Sequence, residues 1–223
     1  ILNDIQILQS DEFQITYTFK TIEQVNWNEE WEKNFSPINI EEKVLIRAEF
    51  HEPRPDLHEI IIQPKMSFGT GHHPTTHLMI QQMLDMDFTD KKVLDMGCGT
   101  SVLAIYAKQR GANEVTAIDI DEWSVENSIE NAERNSVQLN ISQGTAESLG
   151  AESYDIILAN INRNILISDI PTYVSVLKDK GQLLLSGLCF FDVEDILQVC
   201  NEQGLKLTHQ QQREEWCSLL LEK

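Results

Sequence analysis

The sequence predicts an α/β fold: a mostly parallel sheet covered by helices on both faces, closed at one edge by an antiparallel C-terminal hairpin and preceded by a small α+β unit. Three observations lead there. After Met66, strand-like and helix-like segments alternate regularly to the end of the chain, which is the pattern of parallel strands joined by crossover helices. The last two strand-like segments have no helix between them, so they must pair as a hairpin. Before Met66 the chain offers short strands and one aromatic-rich helical stretch.

Taken in order, Phe13, Ile15, Tyr17 and Phe19 alternate with polar residues, the period of a half-buried strand. Val25 to Pro37 carries Trp27, Trp31 and Phe35 at i, i+4 and i+8, which places them on one face of a short helix, an anchoring stripe. Val44 to Phe50 and Glu59 to Ile62 read as strands, separated by a loop holding Pro53 and Pro55. Helices are expected at Pro74–Met86, Ser101–Arg110, Glu122–Asn135, Asn162–Leu177 and Phe191–Gln203. Strands are expected at Lys92–Met96, Glu114–Ile118, Gln138–Ser142, Tyr154–Ala159, Gly181–Ser186, Leu205–Gln211 and Glu215–Leu221. The expected domains are residues 1–24, the end of an N-terminal unit; 25–65, a linker and docking segment; and 66–223, the main domain. The chain opens on Ile1 rather than Met, directly into a strand-like pattern, so residues are expected to be missing upstream.

Composition excludes several classes. The longest apolar runs, such as Ile60–Ile62 and Leu183–Leu185, are far shorter than the roughly 18 residues of a membrane span. With 36 acidic and 17 basic residues the net charge is −19, which repels phosphates; no local basic patch offsets it, so direct nucleic-acid binding is not expected. A basic protein is the natural partner. Cys98, Cys189, Cys200 and Cys217 show no C-x-x-C spacing, so neither a zinc knuckle nor a disulfide framework is indicated and a reducing, cytoplasmic setting is expected.

Four pieces carry chemistry. Lys92 to Ser101 ends a buried strand in Asp95-Met96-Gly97-Cys98-Gly99 and opens a helix, so backbone can approach a ligand at Gly97 and Gly99. Asp119 closes the next strand, 22 residues after Gly97, where a carboxylate accepts hydrogen bonds from ribose hydroxyls. Together they indicate a nucleoside cofactor. A dinucleotide fingerprint needs glycine at 102, where Val102 stands, which disfavours NAD. Asp95 offers an acceptor suited to a cofactor bearing ammonium or sulfonium charge, and S-adenosylmethionine has both. Third, Phe68-Gly69-Thr70-Gly71-His72-His73-Pro74-Thr75-Thr76 puts proline at a helix start, leaving N–H groups and the threonine hydroxyls as a seat for a carboxylate. Zinc on His73 and His77 would need a general-base Glu and further ligands that are not seen, so no metal is expected. Fourth, Asn160 ends the fourth core strand, where its amide can accept a hydrogen bond from an amine; the plain alternative is that it caps the following helix.

On these residues the chain resembles the class I S-adenosylmethionine-dependent methyltransferases, and within them the PrmA family, which methylates the large-subunit ribosomal protein L eleven of bacteria. The most distinctive match is Phe68 to Thr76, supported by Asn26 to Trp31, Asn160-Ile161, Leu185-Ser186-Gly187 and Glu215-Trp216. It covers Val25 to Lys223. The resemblance implies a Rossmann-like seven-stranded sheet preceded by the remnant of a ferredoxin-like substrate-recognition domain at Ile1 to Lys20. It places cofactor contacts on Thr76, Gly97, Asp119 and Asn160, with Thr70, Gly99 and Ile120 as neighbours, and Asn160 as the catalytic residue that orients the amine. Two departures stand out: Ser101 replaces the family's usual third glycine, and Asn162 its usual leucine. The implied reaction is in-line methyl transfer to a lysine side chain or an N-terminal amine. No general base stands out; His72 and His73 are the candidates. A class I methyltransferase of another substrate, or a binding module of the same fold without catalysis, are the alternatives.

Overall fold

The computed structural model describes residues 35–63, 65 and 67–223. By contacts the chain divides into Ile1–Phe35 and Ser36–Lys223, and only the second unit is described below. The expected strand at Phe13–Phe19 and the aromatic helix up to residue 34 lie outside the described residues. The last three residues of that expected helix, 35–37, are not helical.

The second unit opens with a three-stranded sheet of β1 (Ile38–Ile40), β2 (Val44–Arg47) and β3 (His58–Ile61). β1 pairs antiparallel with β2, and β3 parallel to it. Arg47 and Glu59, two residues out of register across β2 and β3, form a bidentate pair at 3.0 Å on both arms, and Arg47 holds the Glu59 carboxyl below its usual range. Ile40, Val44, Ile46 and Ile60 from this sheet join the same apolar cluster as helices of the main sheet. Part of the segment expected as a linker and docking segment thus packs into the core.

The main sheet has seven strands: β4 (Lys92–Met96), β5 (Glu114–Asp119), β6 (Asn140–Gln143), β7 (Tyr154–Asn160), β8 (Leu177–Cys189), β9 (Lys206–Arg213) and β10 (Trp216–Glu222). Their order is β6-β5-β4-β7-β8-β10-β9. β4 through β8 run parallel, while β10 is antiparallel to both β8 and β9. The expected hairpin thus exists, with β10 inserted between β8 and β9. The helices are α1 (Pro74–Met83), α2 (Val102–Gln109), α3 (Glu122–Arg134), α4 (Arg163–Val176) and α5 (Val193–Glu202).

Both faces of the sheet are covered, which explains why the central strands read as nearly continuous apolar runs. Val93, Ile156, Leu158 and Leu184 face α1 and α2, whereas Leu94, Ile157, Leu183 and Leu185 face a second cluster with Tyr173 of α4 and Ile196 of α5. After β6 the chain crosses back to place β7 beside β4, so the strand order reverses between β4 and β7. That gap, outside the carboxyl ends of the strands, is where ligands sit in open α/β sheets.

One side of α3, with its C-cap residue Asn135, acts as a surrogate strand. Asn135 accepts from the N–H of Ile61 at 2.8 Å and donates to its carbonyl at 2.6 Å. One turn earlier, Asn131 accepts from the N–H of Gln63 at 2.8 Å and donates to the carbonyl of Thr100 at 3.1 Å. These amides pair the end of β3 and the chain beyond it, and tie that chain to the glycine loop after β4.

Candidate active site

The loop after β4 folds back over β5: the N–H groups of Gly97 and Cys98 both donate to the carbonyl of Ile118, at 2.8 and 3.0 Å. Gly97 has φ +69, and a Cβ there would lie 2.2 Å from Ile161 Cγ2. Gly99 has φ +55, and a Cβ there would lie 2.3 Å from the carbonyl oxygen of Phe68. The two glycines therefore serve different surfaces. Gly97 lines the cleft, while Gly99 lets the Phe68 loop dock from behind, where Thr100 N–H donates to Phe68 O at 2.9 Å and Thr100 Oγ1 to Gly69 O at 2.7 Å.

The lost third glycine also has a local account. Ser101 sits at φ +60, a left-handed conformation that costs a non-glycine residue about 1 kcal/mol. Its hydroxyl is fully buried and donates to Ser128 Oγ at 2.7 Å, and Ser128 in turn donates to Gly99 O at 2.8 Å. The serine offsets its strain by bracing the loop.

Asp119 is 8 % exposed at the end of β5. Its Oδ2 accepts from the N–H of Gly99 at 2.8 Å and its Oδ1 from the N–H of Asp121 at 3.0 Å, so the carboxylate is fixed in place with lone pairs still facing the cleft it lines. Ile120 follows, 65 % exposed, as an apolar wall. Asp95 departs from the expectation. It is 1 % exposed beneath α2, outside the cleft lining, and its Oδ2 accepts from the N–H of Ala104 at 3.0 Å while Oδ1 has no partner among the described residues. Burial, with Asp119 nearby, pushes its carboxyl up to about 7.

The Phe68–Thr76 motif forms a loop that enters α1 with Pro74 in the first turn. Its helix start is less open than the sequence suggests. His73 is the N-cap: its Nδ1 accepts from the N–H of Thr75 at 3.3 Å and pairs with Thr75 Oγ1 at 2.8 Å, and the N–H of Thr76 donates to His73 O at 3.1 Å. The first-turn donors are engaged within the motif. With Nδ1 accepting from the Thr75 N–H, a neutral His73 ring carries its proton on Nε2. His72 is exposed, bonds Thr70 Oγ1 at 3.2 Å and does not line the cleft; nor does Thr70.

Asn160 closes β7 across the strand-order reversal from Gly97. Its Nδ2 lies 3.5 Å from Oγ1 of the fully buried Thr76, and its Oδ1 is buried with no partner among the described residues. An orphaned acceptor at the bottom of a cleft is costly unless a donor arrives. The capping role falls instead to Asn162, whose Oδ1 accepts from the N–H of Ile165 at 3.2 Å at the start of α4.

These groups surround a cleft of about 650 Å³, within the size range of small-molecule sites. Of the residues expected to bind the cofactor, Gly97, Asp119, Ile120 and Asn160 line it; Thr76 and Gly99 stand one layer behind. Several lining residues were not anticipated. The turn Gly144–Glu147 after β6 forms one end, and the rule of carboxyl strand ends could have found it. Asp169 of α4 enters beside it, accepting from Tyr173 Oη at 3.2 Å, with burial raising its carboxyl above the usual range. Phe68, His73 and Trp216 form an aromatic row at the other end, with ring centroids 5.2 and 4.7 Å apart. Among the described residues no group of three or more His, Cys, Asp or Glu side chains could hold a metal ion.

The strand order, the glycine turn, the carboxylate ending the second strand of the sheet and the cleft over the β4–β7 gap define a class I S-adenosylmethionine-dependent methyltransferase. Comparison with known proteins narrows this. A family model described as ribosomal protein L11 methyltransferase (PrmA) matches residues 1–223, and the chain belongs to that family. A Bacteroides fragilis protein named ribosomal protein L11 methyltransferase is 47 % identical over 210 residues, covering 92 % of this chain and 75 % of its own. The crystal structure of a ribosomal protein L11 methylase from Lactobacillus delbrueckii subsp. bulgaricus superposes with TM-score 0.76 at 27 % identity, covering 84 % of this chain and 97 % of that one. A T. thermophilus 16S rRNA N2 G1207 methyltransferase, in complex with AdoMet and guanosine, shares the fold with TM-score 0.61 at 21 % identity, over 70 % of this chain and 45 % of that one.

Proposed function

We propose that this protein transfers methyl groups from S-adenosylmethionine to amino groups, a lysine side chain or an N-terminal amine, of the large-subunit ribosomal protein L11 in a cytoplasmic setting. The observation that carries the reading is the buried Asn160 Oδ1, without a partner among the described residues, on a side chain that lines the cleft. S-adenosylmethionine, when bound, supplies a methyl group activated on a sulfonium.

The chain's own residues do the positioning. Asp119, held by two backbone N–H groups, accepts from the ribose hydroxyls; Ile120 packs on the nucleoside; Gly97 admits it close to the backbone. Gly99 and Thr70 belong to the loops that support this arrangement. Asn160 Oδ1 accepts an N–H of the target amine and turns its lone pair toward the methyl group, and Thr76 Oγ1 keeps the amide from rotating. Holding an in-line near-attack geometry is the main source of rate in such a displacement. The amine must be neutral first. Deprotonating a lysine at pH 7 costs about 4.6 kcal/mol and an N-terminal amine about 1, and the apolar wall of Phe68 and Trp216 lowers the lysine cost by desolvation. The proton leaves to water before transfer.

The test is incubation with recombinant L11 and S-adenosylmethionine, with methyl groups located by mass spectrometry. Methylated lysine or N-terminal amine, lost with Asn160→Ala, is the expected result. Cofactor binding without methylation of any L11 amine would overturn the substrate assignment.

A further inference from the structure

Five of the chain's six arginines have side-chain partners: Arg47 with Glu59, Arg54 with Asp56, Arg110 with Tyr106, Arg134 with Glu49, and Arg163 with Asp192. Arg213, at the end of β9, has no side-chain hydrogen bond or ion pair among the described residues. In a chain of net charge −19, a guanidinium with no side-chain partner among the described residues is out of place. The same holds for His77 on α1, which is 9 % exposed and whose ring has no hydrogen-bond partner among the described residues. Both face one concavity of about 200 Å³, lined also by Asn39, Gly71, His72 and Pro37. It lies apart from the cleft, on the other side of the Phe68–Thr76 loop.

We propose that this pocket is a binding site for a single oxyanion group, a phosphate or a carboxylate, with Arg213 and His77 as its principal donors and the Asn39 amide as a third. The volume equals that of about seven waters at liquid packing, enough for a tetrahedral anion with part of its hydration. A guanidinium supplies paired N–H donors in a planar fork suited to two oxygens of such a group, and an imidazolium adds a third charge-assisted donor.

The charges around His77 fix the pH dependence. Burial and the nearby Arg213 depress its pKa, and Glu41, which hydrogen-bonds Gln81 on the same helix, opposes them; His72 also lines the pocket. A bound anion favours the protonated ring, so it raises the His77 pKa, and affinity increases as the pH falls. Glu41 repels the anion and limits its affinity.

The test is proton NMR of the imidazole C–H resonances of the whole chain, with His77→Gln to assign the signal. Inorganic phosphate, acetate and chloride are titrated separately at constant ionic strength. Expected is a saturable His77 shift with phosphate or acetate and none with chloride, with the His77 titration midpoint raised by at least half a pH unit at saturation. Stronger binding of phosphate than acetate, or the reverse, identifies which oxyanion the pocket takes. Arg213→Gln, at an exposed position, weakens binding at least tenfold, Arg213→Lys restores part of it, and Glu41→Gln tightens it. Equal response to chloride, no saturable shift with either oxyanion, or unchanged binding in Arg213→Gln would overturn the site.

Discussion

Asn160 and Asp119 both line the cleft, yet they are built for separate tasks. Asp119 spends one lone pair on each oxygen to hold the glycine loop and the start of α3, while the Asn160 acceptor has no donor among the described residues. Asn160→Ala is expected to lower single-turnover methyl transfer by about 100-fold, the scale of a misplaced reactant, with a smaller change in cofactor affinity. Asp119→Ala is expected to weaken cofactor binding by roughly 10- to 100-fold, for hydrogen bonds to a charged group worth about 1.5–3 kcal/mol. Calorimetry and rapid quench separate the two. Asp95 gives a stability test. Its folded carboxyl titrates near 7 against about 3.9 when unfolded, so between these values the folded state binds the extra proton and stability falls as pH rises. Asp95→Asn removes this loss. Urea melts should show the variant gaining on the parent from pH 5 to pH 8, and a constant difference would contradict the burial argument. Asp119 was legible because the spacing of a strand-ending carboxylate from a glycine turn is set by one βαβ unit. The misplacement of Asp95 was not, since the side of the strand it faces follows from which residues α2 packs against.

His73 shows how much a short element depends on its first residue. It caps α1, ties off Thr75 and makes a tilted ring contact with Phe68 and an edge contact with Trp216. His73→Ala is expected to cost about 1 kcal/mol of stability, as for a lost N-cap, and to loosen the aromatic end of the cleft; His73→Asn, which can still cap, should recover the stability without the ring contacts. Thermal melts of both variants decide this. At this scale the sequence was a good guide: β4 lies at the expected Lys92–Met96, and the five helices of the main domain fall within a few residues of their expected spans. It failed where periodicity has too little chain to act on or where one element runs into another. β1 has three residues. β8 extends from Leu177 to Cys189, well beyond the expected Gly181–Ser186, because α4 passes into it without a loop and its early residues pair irregularly with β7. The asparagines of α3 gave no apolar signal because they act as backbone partners.

Across the whole molecule the net charge of −19 favours encounter with a basic protein before any specific contact forms. KM for L11 is therefore expected to rise several-fold between about 50 and 300 mM salt, as screening shortens the range of the field, with kcat and cofactor affinity changing little. A flat KM would remove steering from the mechanism. The charge was plain from composition. The cleft's full outline was not, because Gly144–Glu147, Asp169 and Trp216 come from three distant parts of the chain that only the folded sheet assembles.

The inserted position of β10 also imposes a timetable. β9 comes first in the chain but lies outside β10, and among the described residues its only strand partner is β10, so that pairing waits until the later strand slots in beside β8. Trp216, the first residue of that strand, completes the aromatic end of the cleft at the same moment. A chain halted after Glu214 is expected to leave β8 unpaired on one side and to precipitate or bind hydrophobic dye, while restoring the final nine residues as a separate peptide should rescue it. One strand, β10, thus completes both the sheet between β8 and β9 and the aromatic end of the cleft.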